Sequence, residues 1–175
     1  PPQIGDYRDG GIVFYIASPP VDLDGDGVLD TGLVCAIVDQ SSSIEWILGG
    51  STQTTENGGT SASIGQGQTN TTAMMGQAGY TGGAAKVCND YTITVNGIIY
   101  NDWFLPSKDE LNSMRENIGQ GNELGLGNIG SFGTEYYWSS TEIDNELAWQ
   151  QRFGNGDPLD FYKDDHVSVR AVRAF

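Results

Sequence analysis

Basic residues are scarce in this chain. Lys and Arg number 8 among 175 residues, against 23 Asp and Glu, giving a formal charge of −15. Nucleic-acid phosphates and anionic lipid repel such a chain, and sulfated polysaccharides are disfavoured for the same reason. Neutral sugars, proteins and cations remain as partners. No run approaches the ~18 apolar residues of a membrane span. Cysteine occurs only at Cys35 and Cys88. That is too few for a disulfide scaffold, and the pair lacks C-x-x-C spacing. They are either two buried thiols or, in an oxidising compartment, one bridge. Histidine occurs once, as His166. A triad or a His-based metal site needs partners that are missing, so His166 reads as an exposed strand-end residue. No signal-peptide pattern is present; the chain starts at Pro1-Pro2, as at a linker end, so that absence excludes no compartment.

Glycine is abundant, 25 of 175 residues, roughly twice its usual share, which implies many turns and long irregular connections. An apolar fraction of 38% with 4 Trp, 8 Tyr and 6 Phe argues against wholesale disorder. The length fits one domain, residues 1–175, with a core that needs no staples.

Residues 10–17 (GGIVFYIA) and 32–39 (GLVCAIVD) read as buried strands. Residues 49–72 are small and polar, a long loop that is either functional or pinned by side-chain hydrogen bonds. A short helix is expected near residues 71–75. Another is expected at residues 83–91, where Ala84, Val87, Cys88 and Tyr91 share a face. The clearest local signal is at residues 107–118. Ser107 and Glu110 form a capping box, Leu111, Met114 and Ile118 fall on one stripe, and Gly119 supplies the stop. Residues 135–140, 147–153 and 166–175 read as three strands, with a polar, turn-rich stretch at 154–165. In the second, alternation puts Trp149, Gln151 and Phe153 on one face and Gln150 and Arg152 on the other.

The connection at about residues 19–31 carries Asp22, Asp24, Asp26, Gly27 and Asp30, the D-x-D-x-D-G spacing of calcium loops. The alternation lets carboxylates converge on one hard cation, with the Val28 carbonyl adding an oxygen. Leu33 stands where the bidentate acid of an EF-hand would be, so this is an incomplete loop, read as a structural Ca²⁺ site. Without a cation, four acids within nine residues repel one another. No nucleophile–base pattern, paired acid/base carboxylates or phosphate-cradling loop is legible, so the chain is not expected to be an enzyme. Of Trp46, Trp103, Trp138 and Trp149, at least three are expected in the core.

The segment Asp102-Trp103-Phe104-Leu105-Pro106-Ser107-Lys108-Asp109-Glu110-Leu111 resembles the DWxLPSxxEL segment of bacterial surface domains of the Lcl C-terminal type. Residues 137–142 (YWSSTE), Ala148-Trp149, Phe153, Gly156, Lys163 and residues 169–175 (VRAVRAF) match the rest of their ending. Residues 10–15 and 84–88 also fit. The resemblance implies an α+β, C-type-lectin-like fold: two helices flanking small antiparallel sheets, with long irregular loops. The ending is also similar to variable proteins of diversity-generating retroelements, in which codons between framework residues are diversified.

That resemblance implies a non-catalytic ligand-recognition domain at the tip of an adhesin or receptor, extracellular or on the cell surface, holding a protein or glycan ligand. Trp138, Trp149, Phe153, Val169 and Val172 are expected to form the frame. Ile143, Asp144, Asn145, Glu146, Gln150, Arg152, Asn155, Asp157, Leu159, Phe161, Tyr162, Asp164, Asp165 and His166 are expected to form the ligand face, aromatic anchors with a polar rim. The alternative is a glycan-binding lectin-like module that stacks sugars on Trp or Tyr. The EPN, QPD and WND triplets of calcium-dependent lectins are absent, so calcium here is not read as sugar-binding. A formylglycine-generating-type enzyme is a remote alternative, since Cys35 and Cys88 lie outside the C-terminal part where its reactive cysteines belong.

Overall fold

The computed structural model describes residues 1–175. The molecule is α+β, with three short helices and several small sheets. The first sheet has the order β1 (Tyr7–Arg8), β2 (Gly11–Val21), β3 (Asp30–Ala36), β11 (Val172–Ala174), all antiparallel. Its central strands are continuously apolar because both faces are covered. Val13, Val34 and Ala36 point into one core cluster with Trp46, Trp103 and Trp138. Ile12, Phe14, Leu33 and Cys35 point into a second with Leu111, Met114, Tyr137 and Phe153.

The second sheet has the order β4 (Ser41–Ile44), β10 (Val167–Val169), β7 (Tyr136–Glu142), β8 (Leu147–Arg152), β9 (Pro158–Tyr162). It is antiparallel except for β10 on β7, which is parallel, where the expectation was antiparallel sheets. The helices are α1 (Gly67–Met75), α2 (Ala84–Asn89) and α3 (Lys108–Ile118), the three read from the sequence, where the resemblance implied two. α3 carries the full capping box: Ser107 Oγ accepts from the Glu110 amide, and Glu110 Oε2 accepts from Ser107 N at 2.8 Å. Its Leu111, Met114 and Ile118 stripe is buried and packs on β2, β7 and β8.

The long polar loop is pinned. Asn70 Nδ2 donates to Ser61 O at 2.7 Å, and its Oδ1 accepts from Ser61 N at 2.8 Å. Glu110 Oε1 accepts from Gly65 N and Gly67 N. Glycine is required at residue 49, where φ is +111° and a Cβ would lie 2.0 Å from Gly79 O. Both cysteines are buried free thiols.

Two local expectations change. The last strand divides into β10 and β11, in different sheets. Arg170, 1% exposed, fills the junction: it bonds Asp39, Ala36 O and Gly130 O and lies over the Phe132 ring. The turn-rich stretch after residue 154 contains β9, which pairs with all but the end of β8. A further hairpin, of β5 (Ile93–Val95) and β6 (Ile98–Tyr100), closes on the two-residue turn Asn96-Gly97.

Candidate functional site

The β8–β9 hairpin forms one edge of the five-stranded sheet. Its backbone register sorts the side chains. Gln150 lies opposite both Trp138 and Leu159, Ala148 opposite Phe161, and Arg152 opposite Tyr136. Leu147 lies opposite Tyr162, Trp149 opposite Asp160, and Gln151 opposite both Tyr137 and Pro158. Directly opposed residues share a face, so the expected ligand residues divide between two sides.

On the first side, Phe161 packs edge-on against Tyr136 with ring centroids 5.1 Å apart. The Arg152 guanidinium lies 5.7 Å from the same Tyr136 ring. Beside them, Tyr136, Phe161, Asp165, His166, Glu135 and Ser42 help line a depression of about 350 Å³. His166 is exposed, as expected, and lies 3.8 Å from Glu45. Leu159, at 37% exposed, extends the patch. On the second side, Tyr162 is 58% exposed. The β7–β8 turn holds Ile143, Asp144, Asn145 and Glu146, where Asp144 Oδ1 accepts from the Glu146 and Leu147 amides. Asn155 and Asp157 are exposed in the β8–β9 turn, and Asp164 is exposed after β9.

Two placements correct the expectation. Gln150 is 1% exposed, because its side of β8 turns inward beside Ala148 and Trp138; neither its amide N nor its O has a partner. It is therefore not part of the exposed face of the hairpin. Trp149, expected in the frame, belongs to neither core cluster and is half-buried. It lies under the Lys108 ammonium, 3.8 Å from ring centroid to Nζ. The other frame residues, Trp138, Phe153, Val169 and Val172, are buried.

A buried ion pair behind the hairpin was not legible. Lys163 Nζ lies 2.6 Å from Glu142 Oε1, with side-chain exposures of 0% and 4%. It also donates to Asn145 O at 2.9 Å and Thr55 O at 3.3 Å. The Glu142 carboxylate accepts from the Asn57 and Gly58 amides. One cation thus ties the end of β9 to the β7–β8 turn and the polar loop. Exposed neighbours at Tyr162 and Asp164 disguised it, and only the match of Lys163 to the family ending singled it out. Tyr136 was also missed as a site residue; it lies on an element read correctly, but its meeting with β8 and β9 is long-range.

In the acidic hairpin, Asp22, Asp24 and Asp30 bring carboxylate oxygens within 4.8 Å of one another. Asp26 is not in that group: its Oδ1 accepts from Val28 N at 2.6 Å, and Val28 itself is exposed. Asp22 accepts from Gly25 N and Gly27 N, and the Gly25 amide holds its carboxyl below the usual range. Burial raises Asp24 and Asp30, and the neighbouring carboxylates add to the rise. The hairpin thus gathers negative charge that backbone amides and, at Asp30, Arg173 offset only in part.

No family model matches the chain, and no curated protein does. Among solved structures it is similar to a fimbrial protein from Bacteroides ovatus ATCC 8483, with a TM-score of 0.55 and 14% identity. The match covers 99% of this chain and 46% of that one, so this chain spans less than half of that protein's length. At that identity the likeness is one of fold. No helix of the molecule is long and apolar enough to cross a membrane.

Proposed function

We propose that this chain is a non-catalytic recognition domain of a secreted or surface protein, built on a C-type-lectin-like frame, that holds a protein ligand on its β8–β9 hairpin. The observation that carries this reading is the accessibility of the expected ligand residues, on both sides of the hairpin: thirteen of the fourteen are not buried, while the hairpin itself is fastened by the Lys163–Glu142 pair. Arg152, Tyr136 and Phe161 supply aromatic and guanidinium anchors, with Asp165 and His166 as a polar rim, the composition of an energetic interface centre. The fimbrial protein of similar fold supports a surface setting. Burial pushes the Cys35 thiol up to about 11 and raises Cys88 as well, which disfavours thiolate chemistry and supports a non-catalytic role. Codon diversification of the hairpin belongs to the same reading. It predicts a near-copy of this segment beside a reverse transcriptase in the neighbouring DNA.

The test replaces Arg152, Phe161 and Tyr162 together by Ala. Capture of biotinylated surface proteins by the immobilised domain should disappear, with the melting temperature within a few degrees of the parent. A variant that unfolds would show these side chains to be structural and end the idea.

The acidic hairpin is proposed as a structural calcium site held by Asp22, Asp24 and Asp30, with water completing the shell. Millimolar Ca²⁺ should raise the melting temperature and EDTA reverse it, since a ligand held only by the folded state stabilises by mass action, about 2.7 kcal/mol at a hundredfold excess over Kd. Asp24→Asn should abolish the increment. An identical melt in Ca²⁺ and EDTA would remove calcium from the account.

A further inference from the structure

Three asparagines of this chain are followed by glycine: Asn57, Asn96 and Asn155. We propose that Asn96, and neither of the other two, is a site of spontaneous covalent modification in the folded domain. It converts to aspartate and isoaspartate through a cyclic imide, with water as the one co-reactant.

The chemistry needs a free nucleophile and a free side-chain amide. The main-chain nitrogen of the following residue attacks the asparagine Cγ and forms an N–Cγ bond. The Cγ–Nδ2 bond breaks, the proton of the attacking nitrogen passes to Nδ2, and ammonia leaves. Water then adds to either carbonyl of the cyclic imide. Opening at one carbonyl gives aspartate. Opening at the other routes the main chain through the side chain and gives isoaspartate. Nothing is oxidised or reduced. A following glycine leaves the attacking nitrogen unshielded, because it has no Cβ. By that criterion the three sites are equal.

Hydrogen bonding separates them. At Asn57, the Gly58 amide donates to Glu142 Oε2 at 2.9 Å. The nucleophile is occupied, and the carboxylate opposes the negative charge that this nitrogen must develop. Asn57 Nδ2 donates to Ala73 O at 2.8 Å and to Gln77 Oε1 at 3.0 Å, and its Oδ1 accepts from Gly59 N at 3.1 Å. At Asn155, the Gly156 amide donates to Arg152 O at 2.7 Å. Asn155 Nδ2 donates to Asp157 Oδ2 at 2.6 Å, and its Oδ1 accepts from Asp157 N at 3.2 Å. At both sites the attacking nitrogen and the side chain are held by other partners.

Asn96 has no such partners. Asn96 and Gly97 are the two central residues of the β5–β6 turn, with φ of +51° and +81°, the left-handed pair that such a turn requires. The Val95–Ile98 pair closes the ladder around them. Both residues are exposed, and neither the Asn96 side chain nor the Gly97 amide makes a hydrogen bond. Asn155 is exposed as well, so access to water is not what distinguishes Asn96. Isoaspartate adds one carbon to the main chain of a two-residue turn, and Val95 and Ile98 then lose their register. The base of the hairpin is held separately: Tyr100 Oη donates to Asp9 Oδ1 at 3.1 Å, and Trp103 Nε1 donates to Tyr100 O at 3.0 Å. Modification therefore loosens the tip and leaves the domain folded. This hairpin belongs to neither large sheet, so the inference does not rest on the protein-binding reading.

The test incubates the folded chain, and the same chain in denaturant, at mildly alkaline pH. Both are then digested, and each asparagine peptide is read by mass spectrometry, with aspartate and isoaspartate separated by chromatography. In the folded chain Asn96 should convert about tenfold faster than Asn57 or Asn155, whose reaction waits for local opening. In denaturant all three should convert, because the partners that hold Asn57 and Asn155 are gone. Amide exchange at residues 94–99 should quicken in the converted protein. An Asn96 that persists in the folded chain would overturn the proposal, as would conversion of Asn57 or Asn155 at the Asn96 rate.

Discussion

Replacing Lys163 by Met keeps the length of the side chain and deletes its charge. The ammonium is fully enclosed, 2.6 Å from Glu142 and within hydrogen-bond reach of Asn145 O and Thr55 O. Its loss leaves the Glu142 carboxylate, 4% exposed, with only the Asn57 and Gly58 amides for support. Breaking a buried pair in this way costs about 3–5 kcal/mol. For a chain of this size each kcal/mol moves the melting temperature by about 2–4 °C, so a fall of about 6–20 °C is expected by calorimetry. Lys163→Met combined with Glu142→Gln should recover part of the loss, because the second change removes the stranded charge. The same fall should appear as faster amide exchange at residues 143–146, whose turn loses its anchor. A fall below about 3 °C, or a double variant no more stable than Lys163→Met, would refute the claim that this pair fastens the hairpin.

Burial raises the Glu110 carboxyl from its ordinary 4.5 to about 7, against amide donors from Ser107, Gly67 and Gly65. Between those values the folded chain holds a proton that the unfolded chain has released, so stability falls as pH rises from 4.5 to 7, by about 3 kcal/mol from this group. Denaturant titrations should show that slope in the parent and its loss in Glu110→Gln; equal slopes would deny the burial effect. Cys35 and Cys88 are both fully enclosed, so a thiol reagent should label neither before global unfolding and both after it; rapid labelling of either under native conditions would contradict their placement.

Local signals were legible where one segment carried its own instructions. The α3 capping box, the Leu111, Met114 and Ile118 stripe and the apolar runs of β2 and β3 each depend on residues close in sequence. So does the acidic hairpin, although the convergence of Asp26 did not follow, because its carboxylate turns back to the Val28 amide. The enclosure of three tryptophans was likewise readable from their apolar surroundings.

What tertiary structure decided is which polar residues became internal. Gln150 and Arg152 alternate alike along β8, yet only Gln150 is enclosed: it is flanked by Trp138 and Leu159 on the neighbouring strands, whereas Arg152 ends the strand with no β9 partner. Lys163 stands between two exposed residues and is itself enclosed, since Glu142, twenty-one positions earlier, meets it across the sheet. The Lys108 contact on Trp149 exists only because α3 docks on β8. Periodicity reports which way a side chain points, and short-range capping reports where a helix begins. Neither reports what lies on the far side, because that is set by contacts between segments distant in the chain.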